Sequence, residues 1–133
     1  MKKSSYSNPV YRFLDRDLSW LSFNERVLME AATDQVPLME RIRFLAIYSS
    51  NLDEFYRVRM PTLLALNKLD HNGENAVPTE ILKRINQTIF DQLQWFGELL
   101  VTQIVPTLKR NRIYLVYNEP LPEILLQKLK NYF

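Results

Sequence analysis

The sequence contains no cysteine, which excludes a disulfide framework, thiolate metal sites and cysteine nucleophiles. Its single histidine, His71, leaves no histidine cluster for zinc and no serine–histidine pair; set in "DHNGEN" beside Asn72 and Gly73, it reads as a solvated loop residue rather than a general base. Glycine is almost as scarce, with two in 133 residues, and one of them marks the clearest loop, "LDHNGENAVP" at residues 69–78. Net charge is also small: 17 basic residues exceed 15 acidic ones by two and are spread along the chain, which gives no strong argument for nucleic acid or an anionic membrane as a partner. "MKKSSYSNP" carries lysines but no following apolar h-region, and the longest apolar runs fall far short of a bilayer span. The expectation is a chain with no signal peptide and no transmembrane segment, resident in the cytoplasm, with peripheral membrane association compatible.

What is present is apolar content, 47% of residues, enough for one sizeable core. After a polar lead-in to about residue 16, Leu18, Leu21, Leu28, Ala31 and Ala32 recur at helical spacing and predict a first helix. Asp17 or Ser19 can cap it, and Ser22 with Glu25 matches a capping box for a later start. "TDQVP" reads as a turn with Pro37 at the first position of helix two, whose face is Leu38, Ile42, Leu45 and Tyr48 or Ser49. The face continues as Leu52, Phe55 or Tyr56, Arg59 or Met60, and Leu63, Leu64, with a kink or restart expected at Pro61.

The longest period follows Pro78: Leu82, Ile85, Ile89, Leu93, Phe96, Leu100, Ile104 and Leu108 predict a helix of about eight turns. The fold class is therefore all-α, an antiparallel bundle of about three long helices. "RNRIYLVYNEP" breaks the period: Ile113 to Tyr117 is short and β-rich, and Pro120 and Pro122 lead into a last helical pattern, Ile124 to Phe133. Residues 1–112 are expected to be one helical domain and residues 113–133 a short extension opening the next.

Most candidate sites have a plain reading. Asp53, Glu54 and Arg57 have the spacing of surface ion pairs. Arg57 and Arg59, like Arg41 and Arg43, lie two residues apart and diverge on a regular helix, so neither pair can grip one anion. Trp20, Phe23, Phe44, Phe55, Trp95 and Phe96 fall at or beside core positions, where packing is the better reading than base stacking. The tripeptide Ser49, Ser50, Asn51 is different, because these types compete with helical hydrogen bonds. It is either a helix break capped by Ser50 or Asn51, with Asp53 or Glu54 completing the box, or a break that presents backbone amides and a carboxamide to a planar heterocycle such as adenine. Both readings can hold at once.

"RDLSWLSFNERVLMEA" and "VPLMERIRFLAIYSSNLDEFYRVRM" resemble the N-terminal domain of bacterial polyphosphate kinases, in content and in the distance between the two stretches. The long helix followed by "RNRIYLV" extends the resemblance to about residue 117. It implies an enzyme that reversibly transfers the terminal phosphate of ATP to inorganic polyphosphate through a phosphohistidine, with Mg2+. It places that histidine, the metal and most phosphate-binding residues in later domains, so residues 1–133 contribute no catalytic residue and no metal ligand and are expected to be inactive alone. The helical domain would cover the adenine side of the ATP site, with Asn51 as the position that contacts ATP. Residues after 112 resemble the opening of the head domain involved in dimerisation, which implies the rest of the polypeptide and a homo-oligomer as partners besides ATP, ADP and polyphosphate. Pro61 departs from the pattern, where a helix-compatible residue is expected, and leaves the orientation of Arg57 and Arg59 open. The rival reading is a non-enzymatic helical module that binds a partner protein.

Overall fold

The computed structural model describes residues 9–69 and 79–133, with side chains for residues 16–68 and 79–133. The first residues of the lead-in, the loop after Leu69 and His71 lie outside the described residues. Helices α1 (Pro9–Ala32), α2 (Leu38–Glu54), α3 (Met60–Leu69), α4 (Thr79–Leu99), α5 (Val105–Arg110) and α6 (Glu123–Tyr132) follow in chain order. A π-helical turn, Phe55–Arg59, fuses α2 to α3, and a second, Leu100–Ile104, fuses α4 to α5. Three long rods result, with α6 as an extension, and no strand occurs among the described residues.

The rods run up, down and up. Arg41 bonds the Ala31 carbonyl, Asn24 meets Tyr48 and Asn51, Trp20 stacks on Phe55, and Asp17 meets Arg59, so pairing moves backward along α1 as it moves forward along α2. The same antiparallel order links Tyr48 to Gln92 and Arg41 to Gln103 on the third rod. The core joins Leu21, Leu28 and Ala31 of α1, Leu45, Tyr48, Leu52 and Phe55 of the second rod, and Ile85, Ile89 and Leu99 of the third.

Both π-helical turns sit at the same offset from a proline, with Met60–Pro61 after one and Val105–Pro106 after the other. Proline has no amide to give and its ring crowds the carbonyl four residues back, so a wider turn immediately upstream absorbs the displacement. Each turn closes with an amide bonding five residues back, Met60 to the Phe55 carbonyl and Val105 to the Leu100 carbonyl. The buried stripe takes the same five-residue step, from Phe55 to Met60 and from Leu99 to Ile104. Pro61 therefore neither ends the rod nor reverses its face.

Several expectations are corrected. Helix α1 already runs from Pro9, so Asp17, Ser19 and Ser22 are interior residues and cap nothing. Pro37 is the cap residue of α2, one position earlier than expected. Helix α2 continues through Ser49, Ser50 and Asn51 without a break, so the capping reading of that tripeptide falls, and so do the freed backbone amides of the ligand reading, which leaves only the Asn51 carboxamide; packing of Tyr48 and Leu52 outweighs the weak helical preference of the residues between them. On the third rod Gln92 and Leu99 are buried, whereas Leu93 is 44% exposed. Phe23 is half-exposed rather than core. Residues 113–117 form no strand, since no neighbouring strand offers them a ladder. Arg112 and Asn118 flank them with φ of 60° and 53°, the left-handed conformation that turns a chain sharply.

Candidate functional site

Where α1 faces α2, the buried stripe of α1 is not purely apolar. Asp17, Leu21, Asn24, Leu28 and Ala31 recur at helical spacing, and Asp17 and Asn24 are as buried as the leucines. Each polar member meets a matching group across the interface.

At one end, Asp17 accepts two hydrogen bonds from Arg59, from Nε at 2.7 Å and from Nη2 at 2.9 Å. This bidentate pair holds the Arg59 guanidinium even more firmly protonated than usual, the hydrogen bonds to Asp17 outweighing the opposing effect of burial. One turn along, Trp20 stacks on Phe55 with centroids 5.1 Å apart and planes at 22°. Beside them lies a cleft of about 290 Å³ lined by Arg16, Asp17, Trp20, Glu54, Phe55, Val58 and Arg59. Arg16 and Trp20 also border a shallower depression on the outer side of α1 that reaches Phe23 and Arg26, where the Arg26 guanidinium lies 5.7 Å from the Phe23 ring centre.

A turn further along is the asparagine pair. Asn24, fully buried, donates from Nδ2 to the Tyr48 carbonyl at 3.3 Å, and its Oδ1 accepts from Nδ2 of half-buried Asn51 at 3.0 Å. No described group donates to Asn51 Oδ1, and no buried polar side-chain atom among the described residues lacks a partner. Asn51 thus bonds inward through its amide nitrogen and keeps its oxygen for the outside.

Behind this pair, Gln92 donates from Nε2 to the Leu21 carbonyl at 3.0 Å and accepts from the Tyr48 hydroxyl at 3.4 Å. The Tyr48 ring stacks on Phe96 at 5.5 Å, and burial, with smaller contributions from Tyr56 and Glu25, pushes the Tyr48 hydroxyl up to about 12. At the far end, Arg41 closes α1: Nε donates to the Ala31 carbonyl at 2.7 Å, Nη1 to Asp34 at 3.1 Å and Nη2 to Gln103 at 2.6 Å. The Ala31 carbonyl is one of the last of α1, which the helix itself cannot satisfy.

The arginine pairs diverge as their spacing requires. Arg41 is buried while Arg43 is exposed and pairs with Glu40 at 2.9 Å. Arg57 is exposed and pairs with Asp53 at 3.1 Å and Glu54 at 3.6 Å, while Arg59 turns inward. Asn51 was visible in the sequence as a candidate. Asp17 was considered there only as a helix cap, Arg41 and Arg59 only as members of diverging arginine pairs, and Asn24 and Gln92 were not singled out, although a polar residue occupying the position an apolar stripe requires was the signal available. Among the described residues, no group of three or more histidine, aspartate or glutamate side chains is placed to hold a metal ion.

A family model of the polyphosphate kinase N-terminal domain matches residues 13–116. The chain belongs to that family. Polyphosphate kinase from Vibrio cholerae is 44% identical over 124 residues, covering 91% of this chain and 17% of the relative. The Escherichia coli K12 polyphosphate kinase is 39% identical over 122 residues, covering 91% of this chain and 18% of its own length. The crystal structure of polyphosphate kinase from Porphyromonas gingivalis superposes with a TM-score of 0.70 at 39% identity, over 88% of this chain and 16% of that one. The chain thus spans less than a fifth of the length of these polyphosphate kinases, and the matched region runs from residue 13, inside α1, past the end of α5 and takes in Asp17, Asn24, Arg41, Asn51, Arg59 and Gln92.

Proposed function

We propose that this domain forms the adenine-facing wall of the ATP site in a polyphosphate kinase, with Asn51 contacting the base. The enzyme would transfer the terminal phosphate of ATP reversibly to polyphosphate, through a phosphohistidine and Mg2+ held outside residues 1–133. The observation that carries this reading is the Asn51 carboxamide: anchored inward by a single bond to Asn24, it keeps an oxygen and a second amide hydrogen that no described group uses. A buried scaffold with one polar group turned outward suits positioning of a ligand rather than chemistry on it. Under this division of labour the phosphoryl step depends on charges and metal supplied elsewhere, and the isolated domain is inactive. Residues 113–133 would open the following head domain, and dimerisation of the whole enzyme in the cytoplasm would depend on that part.

Asn51→Ala in the full-length kinase carrying this domain tests the reading. Loss of one or two hydrogen bonds to the base should cost about 1–3 kcal/mol, or roughly 5- to 150-fold in ATP affinity measured by titration. The loss of the bond to Asn24 should lower stability by about 1 kcal/mol in a parallel thermal melt. A melt shifted in this way with ATP affinity unchanged would remove the adenine role and leave Asn51 as a packing residue.

A further inference from the structure

The direction of the Asn24–Asn51 hydrogen bond is dictated from behind. A main-chain carbonyl can only accept, so the Asn24 group facing Tyr48 O at 3.3 Å has to be Nδ2. That fixes Oδ1 on the opposite side of the Asn24 amide, and the group 3.0 Å from this oxygen has to be a donor, Nδ2 of Asn51. Asn24 is 0% exposed, so no solvent competes to reverse its carboxamide. Polarity is handed outward from the Tyr48 carbonyl through Asn24 to Asn51.

With one amide hydrogen engaged by Asn24, Asn51 retains its other amide hydrogen and Oδ1. An adenine edge offers a 6-amino donor beside a ring-nitrogen acceptor, which is the complement of that pair; guanine offers O6, an acceptor, at the corresponding place. On the Watson–Crick edge, where guanine carries an N1–H donor beside O6, an asparagine able to turn its carboxamide over could place nitrogen against O6 and oxygen against N1–H and serve guanine equally. We propose that Asn24 is a positioning residue that locks the Asn51 carboxamide in the orientation accepting adenine and opposing guanine, and so sets the nucleotide preference of the site. This inference rests on the adenine reading of Asn51.

The test compares the kcat/KM for ATP with that for GTP in the full-length kinase, as wild type and as Asn24→Leu, Asn24→Asp and Asn51→Ala. The ratio does not depend on how much of a variant is folded, so destabilisation by a change at a buried position cannot imitate the effect. Asn24→Leu removes the anchor and should lower the ATP-to-GTP ratio by roughly 5- to 150-fold, through KM and with kcat for ATP little changed. Asn24→Asp, assayed at a pH low enough for its buried carboxyl to stay protonated and donate to the Tyr48 carbonyl, keeps an acceptor facing Asn51 Nδ2 and should hold the ratio near that of the wild type. If Asn51→Ala lowers the ratio while Asn24→Leu does not, the positioning role is overturned and the adenine role of Asn51 stands. Equal losses in Asn24→Leu and Asn24→Asp would overturn it too, as the mark of a packing role alone. A ratio and an ATP KM both unchanged in Asn51→Ala would remove the adenine reading and this inference together.

Discussion

Residues 16–110 and residues 111–133 are both rich in apolar side chains at regular spacing, yet they end in opposite environments. In the bundle, Leu21, Leu28, Ile85, Ile89 and Leu99 are almost wholly removed from water. In the C-terminal segment Ile113, Leu115, Ile124, Leu125 and Leu129 are 45–73% exposed, and α6 buries none of its residues. An amphipathic pattern is sufficient for the helix but not for burial, which needs a facing surface. The bundle supplies that surface to itself, and none of it covers α6.

The comparison breaks most visibly by truncation on each side. Ile85→Ala should destabilise the 133-residue chain by about 2–5 kcal/mol, as a transfer loss plus a cavity. Leu125→Ala, the removal of a similar side chain at 45% exposure, should stay within about 0.5 kcal/mol of the unchanged chain. Urea denaturation followed by far-ultraviolet circular dichroism measures both. Equal losses would mean that α6 is packed in solution and that the contrast is false.

The same contrast explains which parts of the fold were legible. Leu82, Ile85, Ile89, Ile104 and Leu108 were assigned to the buried face from spacing alone, because a long helix with one wet side leaves a strong period. Leu93 was assigned wrongly because Gln92, one residue earlier, satisfies the spacing equally well. What selects Gln92 is a pair of hydrogen bonds to the first and second rods, and a count of apolar residues is blind to those. The buried, cross-helix roles of Asp17, Asn24 and Arg41 were missed for that reason. The π-helical turns were half legible: Pro61 announced a disturbance, but its form depended on keeping Phe55 and Met60 on one face. Asn51 was singled out for a break that does not exist. The polar side chain is real, and its anchor on Asn24 comes from another helix, beyond the reach of local propensity.

Within the π-helical turn Phe55–Arg59 the inside–outside contrast is repeated two residues apart. Arg59→Ala would strand Asp17, which is 3% exposed, as a buried carboxylate without its partner, at a cost of about 3 kcal/mol. Arg57→Ala removes contacts between groups that are about two-thirds exposed and should cost less than about 0.5 kcal/mol. Raising salt should erase the Arg57 effect and leave most of the Arg59 effect. Similar losses for the two variants would show that the Asp17–Arg59 pair is solvated.

The smallest effect at neutral pH belongs to the Tyr48 hydroxyl, and it grows on one side of the pH scale only. Its ordinary value near 10.0 is pushed up to about 12, chiefly by burial against the charged form. Below pH 10 the hydroxyl is protonated whether the chain is folded or not, so its contribution is fully present. Between pH 10 and 12 the unfolded chain gives up this proton while the folded chain still holds it, so stability falls as pH rises through that window. Tyr48→Phe has no proton to lose. At pH 7 the variant should be less stable by about 1 kcal/mol, because Gln92 Oε1 forfeits its donor, and that deficit should shrink as pH climbs past 10. Melting both proteins from pH 7 to 11 isolates Tyr48, since every other alkaline titration is common to the two. A deficit constant across the range would mean that the Tyr48 hydroxyl is reached by water in the folded chain, and would weaken the contrast between a sealed bundle and an open C-terminal segment at its most sensitive point.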